Sequence, residues 1–395
     1  MTNNDNRLHG LRVLISGAGI AGPALAYWLG RHGATVTVVE IATKLRGGGF
    51  AVDFRGPTHL GVLEKMGILD DLRAVQTHAG AISCVDAHNR EIFRLPVDFA
   101  GGEVEVRRRD LSRILHEHSA PRAEYLFDDA ITNLTDTATG VHVDFARSPS
   151  RTVDLVIGAD GMHSGVRRIA FGPESRYVEH LGYYIAGWDL PNDIGADDAT
   201  RYYNEPGRMA SVTADLRDPD QAGASVVFAS PRLDYDWHDL DQQKKLVTDM
   251  FTGMPWHVPH LLDALRDAPE MYFDSISRVT VPNWWKGRVA LLGDAGFGLT
   301  LGGMVVGASV VGAYVLAGEL AVAGGDHSVA FPAYQQRLSA YTGRWRRHSS
   351  PGEFMAPSTA TRLALRNMMF RRKFVQRLLV GSSKMLATDL ELPDY

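Results

Sequence analysis

Residues 12–23 read Arg12-Val13-Leu14-Ile15-Ser16-Gly17-Ala18-Gly19-Ile20-Ala21-Gly22-Pro23, and the fold class follows from them. Arg12 to Ser16 is a short apolar run with β-branched Val13 and Ile15, the pattern of a buried strand. Glycines at Gly17, Gly19 and Gly22 follow, then Pro23 at a position suited to the first turn of a helix. Ala24 to Arg31 reads as a helix closed by Gly33, and Thr35 to Glu40 as a second strand, which completes a βαβ unit. Each glycine has a physical reason. Gly17 permits a tight turn, Gly19 lets backbone approach a pyrophosphate, and Gly22 lets helix and strand pack closely. Ile20 and Ala21 complete the turn, whose N–H groups sit at the positive end of the helix and favour phosphates. Glu40 ends the second strand, where an acid can bond a ribose hydroxyl pair. A glycine-rich turn with no ligand is the alternative reading of the same residues.

Two later segments repeat the strand that runs into a tight turn. They are Asp154-Leu155-Val156-Ile157-Gly158-Ala159-Asp160-Gly161 and Arg288-Val289-Ala290-Leu291-Leu292-Gly293-Asp294. Between them, residues 175–280 are rich in Tyr and Trp, alternate over Ser225 to Ser230, and are punctuated by Pro and Asp. That pattern predicts a mainly antiparallel second domain, with a helix over Asp239 to Met254. The expected fold is therefore α/β. A doubly wound nucleotide-binding domain is assembled from residues 1–71, 103–174 and 275–340. Residues 72–102 and 175–274 form a β-rich substrate domain, and 341–395 a helical C-terminus.

Composition narrows the function. The chain has 395 residues, 45% apolar and 22% charged, enough for a large core. A net charge of −5, from 41 basic and 46 acidic residues, shows none of the basic excess of a nucleic-acid binder. Cys84 is the only cysteine, so no intramolecular disulfide and no cysteine-based metal cage can form. His257 and His260 flank Pro259, which argues against a helical metal pair, and no metal site is expected. Met1 to His9 is polar and lacks a signal-peptide core, so a cytoplasmic location is expected. Ala295 to Gly318 carries no charge and could span a bilayer by length. Its seven glycines, and its position directly after Gly293-Asp294, favour a turn feeding a buried helix instead. The tail 341–395 carries ten Lys or Arg against four Asp or Glu. Arg362 to Leu379 has helical spacing that groups Leu363, Met369, Phe370, Phe374 and Leu378. The expectation is a helix docked on the core, with a membrane-surface or partner-binding helix as the alternative.

The glycine motif alone does not separate FAD from NAD. Taken with the segments at 154–167 (Asp154 through Gly165-Val166-Arg167) and 287–295 (Gly287 through Asp294-Ala295), it resembles the three signatures of the single-component flavin-dependent aromatic hydroxylases. This is the family of p-hydroxybenzoate hydroxylase and the tetracycline-inactivating monooxygenases, and order and spacing match over essentially the whole chain. The resemblance implies FAD as cofactor and NAD(P)H as co-substrate. It implies an O2 reaction through a flavin C4a-hydroperoxide, with one oxygen atom inserted into an aromatic or polyketide-like small molecule. Arg46, before Gly47-Gly48-Gly49, would sit beside flavin and adenosine, and Arg108 would reach FAD from a helix start. Asp160 would contact FAD, Asp294 would bond the ribityl chain, and Gly303 and Val305 would lie at the flavin's pyrimidine edge.

The sequence departs from the family just past Asp294. Gly296 and Phe297 replace an alanine and an aromatic or His position, the usual proline is missing near Thr300 and Leu301, and Val305 stands where a glycine belongs. Either the loop is re-registered around Gly302, Gly303 and Gly307, or the flavin chemistry is altered. The latter would suit a non-redox cyclase or isomerase of a natural-product intermediate. A flavin dehydrogenase or reductase is a third reading. The substrate pocket is expected between the two domains, with Trp188, Tyr202, Met209 and Phe228 as stacking or packing candidates. No residue is assigned as a catalytic acid or base, and the expected assembly is a monomer or homodimer.

Overall fold

The computed structural model describes residues 6–45, 47, 49–78, 80–97, 101–196, 199–346, 350–377 and 390–395. Its centre is β1 (Arg12–Ser16). A six-stranded sheet runs in the order Trp285–Lys286, Val289–Leu291, Leu155–Gly158, β1, β2 (Thr35–Glu40), Ala123–Phe127. Pairing is parallel except at Trp285–Lys286. Leu155–Gly158 is buried throughout, and β1 buries Val13, Leu14 and Ile15, as parallel strands covered on both faces must. Helix α1 (Ala21–Arg31) crosses from β1 to β2 and buries Ala21 through Leu29.

Helix Val305–Val322 packs on α1 and on the helix Gly56–Met66. It is apolar all round because it has neighbours all round. Among the described residues it is the one helix long and apolar enough to cross a membrane, and 89% of it is buried inside the protein. The expected buried helix is thus found there. At Gly318 the helix is notched: a Cβ would come within 2.2 Å of the Tyr395 ring. Tyr395 also donates to Glu319 (2.6 Å), so Leu390–Tyr395 lies against this helix.

A seven-stranded sheet has the order Tyr272–Val279, Val178–Pro191, Gln221–Ala229, Arg208–Ala214, Thr200–Glu205, Ile82–Val85, Glu91–Leu95. It is antiparallel apart from the pairing of Thr200–Glu205 with Ile82–Val85. Strand Tyr272–Val279 runs across the expected division at 274/275. Alternation along the strands divides the side chains between two cores. Tyr184, Ala186, Trp188 and Phe228 pack under the helices Leu240–Phe251 and Val258–Asp267. Tyr183, Ile185, Met209 and Val227 face the other way, with Phe50, Tyr272 and Leu301. The Asp239 carboxylate accepts from Gln242 N and starts the helix that the sequence places over 239–254.

The C-terminal helix is shorter than its spacing suggests. It covers Ala360–Phe370, capped by Thr359; residues 371–372 break it and 373–377 are helical again. Leu378 and Leu379 lie outside the described residues. Phe370 is buried and stacks on Phe93, whereas Met369 and Phe374 face solvent, so the expected apolar face does not dock as a whole. Arg366 occupies the inner face instead.

Candidate functional site

Three corners meet at the C-terminal edge of the six-stranded sheet. In the first, Gly17 has φ +105°, and a Cβ there would lie 2.6 Å from the Ala159 carbonyl oxygen. A Cβ on Gly22 would lie 1.9 Å from the Gly17 oxygen, so both positions are too tight for any side chain. Gly19 differs: a Cβ there would meet no protein atom within 4 Å. It borders open space at the start of α1, whose N-cap residue Ile20 supplies no side-chain acceptor to the first-turn N–H groups. Those donors are left for a ligand. Glu40 is buried and accepts from Ala18 N (2.8 Å) and Ala42 N (3.0 Å), which braces the glycine turn. Ser112 donates to the Gly19 carbonyl (3.2 Å) and holds the same turn from the helix Arg108–Ser119.

The second corner follows strand Leu155–Gly158. The Asp160 carboxylate accepts from Ser164 Oγ, from Val166 N (3.0 Å) and from Ser16 Oγ (3.3 Å), so it knots its own turn to β1. Burial pushes this carboxyl up, and the hydrogen bonds from Ser164 and Val166 oppose the rise. Arg167 is fully buried and donates to Met162 O (2.6 Å) and Ala295 O (3.0 Å), tying the second corner to the third. His163 bridges Glu174 (3.1 Å) and Asp274 (3.2 Å), the latter on the seven-stranded sheet. Hydrogen bonds to these two carboxylates push the imidazole up to about 10, so it is a cation at neutral pH.

The third corner is Gly293 (φ +66°) followed by the short helix Asp294–Phe297. A Cβ on Gly293 would stand 3.2 Å from Ala21 Cβ, which sets this corner against the first. Asp294 Oδ1 is buried and has no hydrogen-bond partner among the described residues. Burial raises the Asp294 carboxyl, and Arg108 draws it back down. Arg108 in turn lies across Gly49, where a Cβ would come within 2.9 Å of its Cδ. Gly49, Arg108 and Asp294 therefore belong to one neighbourhood. Arg46 lies outside the described residues. A buried acceptor without a donor costs about 1–3 kcal/mol. Beside an uncapped helix start and an open Gly19, it fits a ligand with phosphates at one end and hydroxyls further along.

In the loop after Asp294 no positive φ falls on Val305. The loop's left-handed residues are Leu301 (φ +59°) and Gly303 (φ +66°), while Val305 is the first residue of the helix and needs no positive φ. A Cβ on Gly302 would meet Val305 Cγ2 at 2.8 Å, so the small residue has moved to make room for the branched one. The backbone objection to a branched residue at Val305 is absent in this geometry. Thr300 sews the loop to the seven-stranded sheet through Ser277 O and Ser275 O, each at 3.0 Å.

Among the substrate candidates, Tyr202 and Met209 lie on the sheet face shared with Phe50 and Leu301. Trp188 and Phe228 do not. They are buried on the opposite face beneath the two helices, and this corrects the expectation for both. Gly187 occupies the inward position beside Trp188, and Phe50 presses on it, 2.6 Å from where a Cβ would be. Asp274, Arg167 and His163 were not singled out from sequence. The first is 111 residues from its histidine partner, and no local pattern marks the pair.

A family profile described as an FAD binding domain matches residues 10–185. A flavin-dependent monooxygenase from an unknown prokaryotic organism is 34% identical over 400 residues, covering 98% of this chain and 100% of its own length. The chain belongs to the flavin-dependent monooxygenases. An uncharacterised Mycobacterium tuberculosis protein is 40% identical over 84% of this chain and 91% of its own length. The crystal structure of tetracycline destructase Tet(51) superposes with a TM-score of 0.82 at 29% identity, covering 98% of this chain and 99% of that one. This protein is thus an FAD-dependent monooxygenase with an FAD-binding fold, and the cradle of three corners is the place that fits the cofactor.

Proposed function

We propose that this monooxygenase consumes NAD(P)H and inserts one atom of O2 into an aromatic or polyketide-like small molecule. The observation that carries the placement of its cofactor is Asp294 Oδ1, a buried acceptor without a donor, beside the uncapped start of α1. Bound FAD supplies hydride acceptance and O2 activation, chemistry that no side chain has. The chain supplies binding and orientation. N–H groups of residues 19–22 hold the pyrophosphate, Asp294 accepts from a ribityl hydroxyl, and Arg108 places a positive charge over the same region. Asp160 and Glu40 act through the backbone: each keeps its turn closed so that the N–H groups point outward. Met304 gives the helix Val305–Val322 no side-chain cap, so its first N–H groups would be free to donate to bound FAD.

The substrate lies against the inward face of the seven-stranded sheet. Met209, with Ile185 and Val227, gives this face an apolar character that suits a planar, multi-ring molecule and keeps water out. The likeness to a tetracycline destructase and to fungal FAD-dependent monooxygenases supports this class, including antibiotic and polyketide tailoring. The test uses purified protein. The visible spectrum reports bound flavin, anaerobic NADPH or NADH reports its bleaching, and 18O2 with a panel of polycyclic phenols reports oxygen transfer by mass. Bleaching without label in any product would overturn the oxygen-transfer reading and leave a reductase.

A further inference from the structure

The C-terminal helix Ala360–Phe370 turns Arg366 and Phe370 inward and Leu365, Met368 and Met369 outward. Arg366 is 9% exposed and donates to Asn204 Oδ1 (2.8 Å), Met355 O (3.0 Å) and Phe354 O (3.1 Å). Its guanidinium lies over the rings of Tyr202 (5.6 Å) and Phe93 (5.8 Å). This network fixes the helix rotation, so the outer face is not a matter of loose docking. Leu365, Met368 and Met369 stand on that outer face at i, i+3, i+4 spacing, 51%, 52% and 44% exposed. Phe374, one turn further on, is 75% exposed, and Phe354 on the adjoining helix is 42% exposed. A cluster of this kind on a monomer marks an interaction surface.

Charge identifies the occupant. Residues 354–377 contain six basic side chains and no acidic one. Arg366 is buried and Arg362 is paired with Glu353 (3.1 Å). Arg371, Arg372, Lys373 and Arg377 have no ion pair among the described residues, and all four are exposed beside Phe374. Glu91, the acid on the neighbouring strand, faces Arg94. A second copy of this chain meeting the face about a two-fold axis would set these cations against themselves. The face is the exposed side of one helix and of the residues that follow it. Apolar side chains flanked by long cationic ones on such a surface match an anionic bilayer, where the former enter the acyl boundary and the latter reach phosphates.

We propose that the outer face of residues 354–377 docks on anionic phospholipid membranes. The proposal stands apart from the substrate reading and does not depend on it. Each basic residue near an anionic surface is worth about fivefold in binding, so the four unpaired cations make charge the deciding quantity. The test is flotation of the full-length, flavin-loaded protein with vesicles of phosphatidylcholine alone and of phosphatidylcholine with phosphatidylglycerol. Binding to the mixed vesicles at low salt, at least ~10-fold tighter than to neutral ones and released by high salt, is expected. Arg372→Glu/Lys373→Glu and, separately, Leu365→Ser/Met368→Ser should each weaken it by about as much while the flavin absorbance stays intact, which shows that the variants fold. Absence of binding, equal binding to both vesicles, or full binding by either variant overturns the proposal. So does a concentration-dependent dimer that the same substitutions abolish while vesicles are not bound.

Discussion

Gly19 separates the requirements of the fold from those of the cofactor. A Cβ there meets no protein atom within 4 Å, and Gly19 is not among the glycines with positive φ. Gly19→Ala should therefore leave the flavin-free protein as stable as wild type, or about 0.4–1 kcal/mol more stable through a less flexible unfolded chain. Gly22→Ala would put a Cβ 1.9 Å from the Gly17 oxygen. It should destabilise the flavin-free protein by roughly 1–3 kcal/mol or more, since backbone must move. The proposed site reverses the order once cofactor is added, because it puts the pyrophosphate in the space that Gly19 leaves open. Ligand present at about 100 times its dissociation constant stabilises wild type by about 2.7 kcal/mol. Gly19→Val should lose most of that increment. The assay is a pair of thermal melts, with and without added FAD, together with the ratio of visible to ultraviolet absorbance after desalting. A Gly19→Val protein that keeps wild-type flavin content would refute the reasoning, as would one whose flavin-free form unfolds well below wild type.

Three further outcomes are expected. Asp294→Asn removes a carboxylate that burial already disfavours, so flavin-free protein should melt at or above the wild-type temperature while FAD affinity falls about 10-fold, measured by fluorescence titration. His163 is raised from its ordinary 6.5 to about 10 by Asp274 and Glu174, so its contribution to stability is complete below pH 6.5 and is lost as pH rises toward 10. Melts across that window should fall less steeply for His163→Gln than for wild type, and parallel curves would exclude the clamp. Phe228→Ala should cost about 3–5 kcal/mol in denaturant unfolding yet leave KM unchanged, whereas Met209→Ala should cost about 2–5 kcal/mol and also raise KM.

The βαβ start was readable because its information is local. Gly17 and Gly22 are demanded by atoms a few residues or one strand away, and the alternation of strand, turn and helix leaves a direct trace in the apolar pattern. Asp294 could be named because the segment 287–295 resembles a family signature, not because any local pattern marks its role. The side of the sheet facing the cofactor was not readable. Strand Val178–Pro191 buries Tyr183 and Ile185 on one face and Tyr184, Ala186 and Trp188 on the other, so period-two alternation marks no outside. The two readings of Val305 could not be separated for a similar reason: loop length fixes which residue takes positive φ, and residue type alone does not. The inward turn of Arg366 depends on Asn204, 162 positions away, and on two carbonyls of a short neighbouring helix. No wheel drawn on the helix alone contains those partners.

The pairing of β1 with Leu155–Gly158 joins Val13 to Leu155, a separation of 142 residues (155 − 13), and Val156 joins Val289 beyond it. During synthesis, at roughly 5–20 residues per second, one edge of β1 stays open for roughly 7–28 s after it leaves the ribosome. That edge is an unpaired, strongly apolar strand for the whole interval. If the proposed site holds the flavin, Asp294 must emerge as well before the prosthetic group is held. Maturation of this enzyme is thus bound to translation speed and to whatever shields the nascent strand, and slowing elongation between codons 16 and 155 should lower the yield of yellow protein more than slowing it after codon 305.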